Sequence, residues 1–255
     1  MPEGHLIHRY AREQHGVLAG RRVRAGSPQG RFDTRPYDGR VVEGVEAVGK
    51  HLLYHFDGGA TIHVHLGMRG LFLRYDDPAA EPRRGARLRL ETDEVAIELI
   101  APTRCEAMDG EGVAALRGSL GPDPLRADAD RDEAVRRLAA FRGAVGAAVL
   151  DQGVWAGIGN AWRAELLFLA SLDPDARGVG AGAAGWLWDA AVRHLALGRD
   201  AGQVVSDPGA PDERWVYKRQ TCRRCASPVR EWPLAGRTAY ACPLDQPADQ
   251  GRRTR

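Results

Sequence analysis

The chain opens with Met1, Pro2 and Glu3, an order that could place a nucleophile beside a proton carrier. Methionine before a small residue is normally removed, so we expect Pro2 to begin the mature chain. Its ring nitrogen would then be a free secondary amine, and an α-amino group, with a pKa of about 8, keeps a neutral fraction at cellular pH. Such an amine can attack an electrophilic carbon and form a cationic iminium. The alternative is a chain start without a chemical role.

Three of the four cysteines and one aspartate have the spacing of a zinc ribbon. Two residues separate Cys222 from Cys225, and two separate Cys242 from Asp245. Two such turns aim four side chains at one tetrahedral ion, and a carboxylate oxygen can take the place of a thiolate. We therefore predict one structural zinc ion with Asp245 as its fourth ligand. The alternative is a ribbon without metal, held by its hairpin and by packing of Trp232.

A glycine-rich turn, Gly157-Ile158-Gly159-Asn160, precedes an apolar segment with helical spacing. Glycines permit a tight turn, and the free amides at the start of a helix can face a phosphate. Asn160, the only asparagine, could add a side-chain donor. The alternative is a simple connection between helices.

Lysine is rare, because 34 of the 36 basic residues are arginine and only Lys50 and Lys218 remain. A lysine that survives such a bias could be needed for its compact ammonium group, which arginine does not supply. The alternative is that these two lysines remain by chance.

Composition and charge narrow the class of protein. With 44% hydrophobic and 27% charged residues in 255, the chain has ample material for packed cores and is not disordered. No apolar run approaches the roughly 20 residues that a bilayer requires, and no secretory signal opens the chain. We therefore expect a protein of the bacterial cytosol, associated with the nucleoid.

The net charge of +2 conceals a basic tail. Residues 213–255 carry ten Arg or Lys against four Asp or Glu, which leaves a net charge of −4 on the rest. This segregation favours a polyanionic partner over a merely solvated tail.

These residues must be positioned by a β domain followed by helices. Apolar residues from Leu6 to Leu18 predict a leading helix that Gly20 ends. The predicted strands cover 41–48, 51–56, 61–66, 71–75, 86–90 and 95–100, and the predicted helices 133–140, 144–150, 161–170 and 185–197. The fold class is α+β: an N-terminal β-sandwich with a leading helix (1–122), a helical domain (123–210) and a zinc-ribbon-like β-hairpin with a tail (211–255).

Several motifs occur together in one order. They are Met1-Pro2-Glu3-Gly4, Val48-Gly49-Lys50-His51-Leu52, His65-Leu66-Gly67-Met68-Arg69-Gly70, Asp151-Gln152, Gly157-Ile158-Gly159-Asn160, Arg163-Ala164-Glu165, Val216-Tyr217 and Gly236-Arg237. In this order, and nearly end to end, the chain resembles the formamidopyrimidine-DNA glycosylase and endonuclease VIII family of base-excision repair. Gly4 makes it more similar to the endonuclease VIII branch.

The resemblance implies a helix–two-turn–helix element in the helical domain and a mechanism without a catalytic cofactor. Pro2 would be the Schiff-base nucleophile, Glu3 the general acid and base, and Lys50 a lysine that reaches a phosphate beside the lesion. The expected activity is that of a bifunctional DNA glycosylase and AP lyase, which excises oxidised bases, pyrimidines above all, and cleaves the strand by β/δ-elimination.

The resemblance also implies how a monomer would bind damaged or abasic double-stranded DNA. Met68 would enter the gap left by the everted nucleotide, Asn160 and Arg237 would hold the flanking phosphates, and Lys218 would contact DNA. The alternatives are a core position for Met68, a helix-start charge for Glu3, and solvent-exposed cations for Arg237 and Lys218.

The chain also departs from the family pattern. Leu6 stands where the family commonly has an acidic residue, and residues 101–106 replace the usual Arg-Arg-Phe-Gly-type loop. Two other functions therefore remain open: an abasic-site lyase with little glycosylase activity, and a noncatalytic damaged-DNA-binding protein. His63 and His65 share a strand face and could form a metal pair or be satisfied within the sheet. Cys105 is interpreted as a buried thiol.

Overall fold

The chain divides into two compact units, Met1–Ser119 and Leu120–Arg255. The computed structural model describes residues 2–248. Within that range, no helix combines the length and the apolar composition that crossing a bilayer requires. The finer division predicted at residues 122 and 210 stays a prediction.

The first unit is a β-sandwich with a helix in front of it, as predicted. Helix α1 (Gly4–Leu18) is followed by eight strands and a closing helix. The strands are β1 (Arg24–Gly26), β2 (Val42–Val48), β3 (His51–Phe56), β4 (Thr61–His65), β5 (Leu71–Tyr75), β6 (Ala86–Glu91), β7 (Ala96–Ile100) and β8 (Arg104–Met108), and the helix is α2 (Gly110–Ser119). They form two antiparallel four-stranded sheets, in the orders β1-β6-β7-β5 and β2-β3-β4-β8.

One hydrophobic core joins α1 to both sheets. Ile7, Ala11 and Leu18 lie at helical spacing and are buried among the inward side chains of the strands. Tyr54 of β3 donates a hydrogen bond to Gln14, and the amide of Val45 donates to His15 Nδ1 at 3.2 Å. These contacts fix the C-terminal half of α1 against the sandwich.

The second unit is helical and ends in a ribbon, also as predicted. It contains helices α3 (Arg131–Ala140), α4 (Val145–Ala148), α5 (Asn160–Leu169) and α6 (Ala181–Ala201), then the hairpin strands β9 (Arg230–Leu234) and β10 (Arg237–Ala241). The Asp130 side chain caps α3 by accepting from the Glu133 amide. Trp155, Trp162 and Trp188 are buried in the helical core, where the Trp155 indole donates to the carbonyl of Ala134 at 2.9 Å.

Candidate functional site

Pro2 and Glu3 lie immediately before α1. Glu3 is the N-cap residue, in an extended conformation, and its carbonyl accepts the amide of Leu6 at 2.9 Å. Its side chain does not cap the helix by a hydrogen bond, and the residue is only 2% exposed. A buried carboxylate beside Pro2 is suited to proton transfer. Met1, whose removal the predicted chemistry requires, lies outside the described residues.

Lys50 occupies the turn between β2 and β3. The flanking pair Val48 and His51 closes this hairpin, so Lys50 stands at its tip and is half-buried. A lysine at a hairpin tip can present its ammonium group to a phosphate.

Met68 is presented by a tight loop between β4 and β5. Its side chain is 65% exposed, which contradicts the alternative that it belongs to the core. The Gly70 amide donates to the Leu66 carbonyl at 3.1 Å. Gly67 has a φ of +65°, and a Cβ there would lie 1.7 Å from Thr103 Oγ1, so this position requires glycine. The loop therefore displays an apolar tip on a constrained backbone.

Residues 101–106, which were expected to replace an Arg-Arg-Phe-Gly-type loop, lie partly in a strand. Ala101 has a φ of +44°, and Arg104–Met108 form β8 along β4. The amide of Thr103 donates to the carbonyl of His65 at 3.0 Å, which ties this segment to the Met68 loop. Cys105 is partly rather than fully buried, and burial raises the pKa of its thiol to about 12.

Three histidines and Glu106 form a histidine cluster on β3, β4 and β8. His63 Nδ1 lies 2.8 Å from Glu106 Oε1, and His63 Nε2 lies 2.8 Å from His51 Nδ1. Because an ionised carboxylate only accepts, His63 donates to Glu106 and accepts from His51. His65 Nδ1 accepts the Gly67 amide at 3.2 Å, so these histidines are satisfied within the sheet.

Burial sets the charge of the histidine cluster. Burial, and then the proximity of His65 and His63, lowers the pKa of His51 to about 3. Burial, assisted by His63, Lys50 and Arg104, also lowers the pKa of His65. The His51 and His65 rings are therefore neutral at pH 7.

The glycine-rich turn before α5 is held by a glutamine. The side-chain amide of Gln152 donates to the carbonyl of Ile158 at 3.0 Å, and its oxygen accepts the amide of Gly157 at 3.0 Å. Asn160 begins α5, and its Nδ2 donates to the carbonyl of Thr238 in β10 at 3.0 Å. Its buried Oδ1 has no hydrogen-bond partner. Asn160 thus joins the turn to the hairpin tip.

Sequence reasoning gave no role to Arg163, which strengthens the same junction. The residue is 1% exposed, and its guanidinium donates to the carbonyls of Leu234 and Thr238 at 3.0 and 2.8 Å. Both acceptors flank the turn Ala235–Gly236, whose φ values of +51° and +71° are those of a tight hairpin turn. Arg237 follows this turn and is exposed, as predicted for the ribbon tip.

Glu165 is a second residue whose role the sequence did not reveal. It is fully buried, and its carboxylate accepts the amides of Trp215, Val216 and Tyr217 at 2.8, 3.0 and 2.9 Å, as well as the Ser206 hydroxyl. The carboxylate thus fixes the segment just before Lys218. Lys218 is exposed, has a φ of +56°, and lies with its ammonium 5.5 Å from the centre of the Tyr217 ring.

The predicted zinc ligands converge in a thiolate cluster of Cys222, Cys225, Cys242 and Asp245. Their ligand atoms lie within 4.8 Å of one another, and no other potential metal-binding group of this kind occurs among residues 2–248. Asp245 Oδ2 lies 3.1 Å from Cys242 Sγ, and the Cys225 and Cys242 sulfurs are 3.4 Å apart. Three sulfurs and one carboxylate oxygen suit a tetrahedral zinc ion.

The metal-free alternative relied on Trp232, whose contacts lie elsewhere in the unit. Its indole nitrogen lies 3.3 Å from Asp175 Oδ1, and the guanidinium of Arg230 stacks 4.5 Å from its ring. These contacts support the hairpin and do not involve the four ligand side chains of the thiolate cluster. A divalent cation fits that cluster.

Two family models match the chain. The formamidopyrimidine-DNA glycosylase N-terminal domain matches residues 1–106, and the formamidopyrimidine-DNA glycosylase H2TH domain matches residues 120–204. The second match spans α3 to α6 and includes the turn that holds Asn160.

Several named proteins are similar over most of their length. The Mycobacterium tuberculosis protein named Endonuclease 8 1 is 38% identical, with 96% of this chain and 100% of the relative covered. The probable endonuclease 8 2 of Streptomyces coelicolor is 34% identical, with 96% of this chain and 94% of the relative covered. A formamidopyrimidine-DNA glycosylase from Herpetosiphon aurantiacus is 30% identical, with 81% and 82% covered.

Solved structures show the same fold. Lactococcus lactis formamidopyrimidine-DNA glycosylase, in complex with DNA that contains N7-benzyl-Fapy-dG, aligns with a TM-score of 0.80 at 21% identity, over 96% of this chain and 100% of that one. With both family models and near full-length relatives in agreement, the chain belongs to the formamidopyrimidine-DNA glycosylase and endonuclease VIII family of DNA repair glycosylases.

Proposed function

We propose that the chain is a bifunctional DNA glycosylase and AP lyase that excises oxidised bases from double-stranded DNA, with oxidised pyrimidines preferred. The observation that carries this proposal is the position of Pro2 and the buried Glu3 at the amino end of α1. The similarity to two proteins named as endonuclease 8, over 96% of the chain, supports the endonuclease VIII branch, and the preference for pyrimidines is proposed on that basis.

The reaction starts at the nitrogen of Pro2 once Met1 is removed. The positive end of the α1 dipole disfavours a charged ammonium at this position and favours the neutral amine. This nitrogen attacks C1′ of the damaged nucleotide, the bond from C1′ to the base breaks, and the base leaves with a proton. Glu3 moves protons at the sugar and at the base.

The covalent intermediate also accounts for strand cleavage. The C1′–O4′ bond then breaks, O4′ takes a proton from Glu3, and the nitrogen of Pro2 is left in a cationic iminium, which acidifies the C2′–H bond of the sugar. Loss of that proton expels the 3′ phosphate by β-elimination, and a second elimination releases the 5′ phosphate. One amine thus serves both activities.

DNA binding must offset the cost of everting the nucleotide, roughly a few kcal/mol for a damaged base. Lys50, Asn160 and Arg237 are assigned to the flanking phosphates, which fix the register of the duplex. The exposed Met68 is assigned to the vacated stack, where an apolar wedge stabilises the deformed DNA. Lys218 adds a phosphate contact.

Zinc has a structural role in this proposal. Cys222, Cys225, Cys242 and Asp245 hold the ion, which stabilises the two turns of the ribbon. The ribbon in turn carries Arg237 at its hairpin tip. No catalytic step is assigned to the metal.

Borohydride trapping on abasic DNA tests the covalent step. The wild-type chain should give a stable adduct, and intact-mass measurement should show that it begins with Pro2. Pro2→Gly should reduce the trapped adduct at least about 100-fold, while Pro82→Gly, at an exposed proline, should leave it unchanged. Absence of an adduct with the wild-type chain would favour a noncatalytic binding protein instead.

An abasic-site lyase with little glycosylase activity is the second candidate. Leu6, at a position that is commonly acidic in the family, and the absence of the usual Arg-Arg-Phe-Gly-type loop at residues 101–106 favour it. Cleavage rates on matched duplexes with an oxidised pyrimidine, an oxidised purine or an abasic site separate the two functions. Cleavage of the abasic duplex alone would overturn the glycosylase proposal.

A further inference from the structure

We propose that Arg224 positions Asp245 as a monodentate metal ligand, an inference that rests on the proposed zinc site. The two carboxylate oxygens of Asp245 have different surroundings. Oδ2 lies 3.3 Å from Cys222 Sγ and 3.1 Å from Cys242 Sγ, whereas Oδ1 lies 3.3 Å from Arg224 Nη1. One oxygen thus faces the sulfurs, and the other is held by a guanidinium.

An aspartate ligand needs such a partner more than a cysteine does. A thiolate offers one donor atom, but a carboxylate can turn or bind through both oxygens. A hydrogen-bonding neighbour that holds one oxygen fixes the orientation of the other, and such partners of metal ligands typically change metal affinity about 10- to 100-fold. Arg224 therefore supplies the directionality that a fourth thiolate would have had by itself.

Charge points to the same role. Three thiolates and one carboxylate carry four negative charges, and a zinc ion neutralises two of them. A cation within 4 Å of Asp245 reduces the repulsion that remains. The ion pair is partly shielded, because the Asp245 side chain is 15% exposed and that of Arg224 is 44% exposed.

Two aromatic side chains, Phe168 and Trp215, form an aromatic shelf that holds Arg224 in place. The rings of Phe168 and Trp215 stack 5.4 Å apart, and the guanidinium carbon of Arg224 lies 4.5 and 5.3 Å from their centres. Phe168 is fully buried, so the shelf is part of the core of the unit. A planar guanidinium can stack on such rings and still donate to a carboxylate, which an ammonium cannot do as well.

The neighbouring Arg223 provides a matched control. It lies over the same Trp215 ring at 4.6 Å, but it pairs with Asp207 at 2.8 Å rather than with Asp245. A substitution of Arg223 therefore removes one cation from the same aromatic ring but leaves the partners of the Asp245 carboxylate unchanged.

The experiment measures the zinc affinity of the full-length chain by competition with a chromophoric chelator. Arg224→Met should lower the affinity about 10-fold or more, and Arg223→Met less than about 3-fold. In the background of Asp245→Cys, Arg224→Met should also cost less than about 3-fold, because no carboxylate remains to be oriented. Arg224→Lys should fall between wild type and Arg224→Met.

Cobalt substitution provides a second readout that simple destabilisation would not imitate. Cobalt-loaded Arg224→Met should keep the thiolate-to-metal charge-transfer intensity of three sulfurs but show shifted d–d bands. Equal losses for Arg224→Met and Arg223→Met, or an undiminished loss in the Asp245→Cys background, would overturn the proposal. A wild-type chain that binds no zinc would also overturn the proposal for Arg224. If that chain still forms an adduct with abasic DNA, the proposed enzyme activity stands without the zinc site.

Discussion

The histidine cluster and the thiolate cluster are built from residue types that commonly bind metals, yet they satisfy their polar atoms in different ways. Neutral imidazole is both a donor and an acceptor, so His51, His63 and Glu106 form a chain of hydrogen bonds of 2.8 Å. Thiolates and carboxylates only accept when ionised. With its thiols ionised as metal ligands, the thiolate cluster therefore suits a cation, whereas the histidine cluster completes its hydrogen bonds by itself.

The sharpest test of this difference removes one member of the thiolate cluster. Cys222 is 1% exposed, and Cys222→Ala should lower zinc affinity at least about 100-fold and destabilise the ribbon, because binding of a structural zinc is coupled to folding. Metal analysis of the purified protein checks the result. Cys105→Ala removes the cysteine outside the cluster and should leave the zinc content unchanged. Full zinc occupancy in Cys222→Ala would mean that the ligand assignment is wrong.

A smaller effect is expected when the histidine cluster is broken. His63 is 1% exposed, and His63→Ala should lower the free energy of unfolding by about 2–3 kcal/mol, because it leaves His51 and Glu106 without their partner. Urea denaturation measures this loss. Arg74→Ala, which breaks the exposed ion pair of Arg74 with Asp76, should cost less than about 1 kcal/mol. Zinc content should stay at the wild-type level, and a loss of bound metal would contradict the comparison.

The third effect is a pH dependence of the histidine cluster, which is small over any one pH unit and accumulates as the pH falls. His51 has a pKa of about 3 when folded, below the ordinary value of 6.5, so it takes up a proton on unfolding. Its contribution to stability is present above pH 6.5 and is lost as the pH falls toward 3, with a slope of at most about 1.4 kcal/mol per pH unit.

Urea denaturation between pH 7 and pH 4 checks this sign. His51→Gln should flatten the decline relative to wild type, while the acid release of zinc from the thiolate cluster affects both proteins alike. Equal slopes for the two proteins would show that His51 does not titrate between the folded and unfolded states.

Local patterns predicted the fold where neighbours in sequence decide the structure. The spacing of Ile7, Ala11 and Leu18 identified α1, and the strand predicted at 71–75 coincides with β5. The strand β8 and the helix α2 were missed. Arg104–Met108 carries two charged residues in five, and it becomes a strand because it pairs with β4, some forty residues earlier.

The candidate site shows the same limit. The spacing of Cys222, Cys225, Cys242 and Asp245 predicted a cluster, because each turn is local. The bond from Asn160 to Thr238 joins residues 78 positions apart, and the bonds of Glu165 to residues 215–217 span about 50. No spacing rule links such residues, so only tertiary structure reveals them.

The anchoring of three successive amides by Glu165 has a consequence for the modularity of the protein. A fragment cut before Trp215 would keep a fully buried negative charge and lose the backbone donors that balance it. The ribbon therefore cannot be removed from the chain, or transferred to another protein, as an independent unit. Chimeras between relatives should be joined upstream of α5, so that Glu165 and the three amides that it accepts come from the same protein.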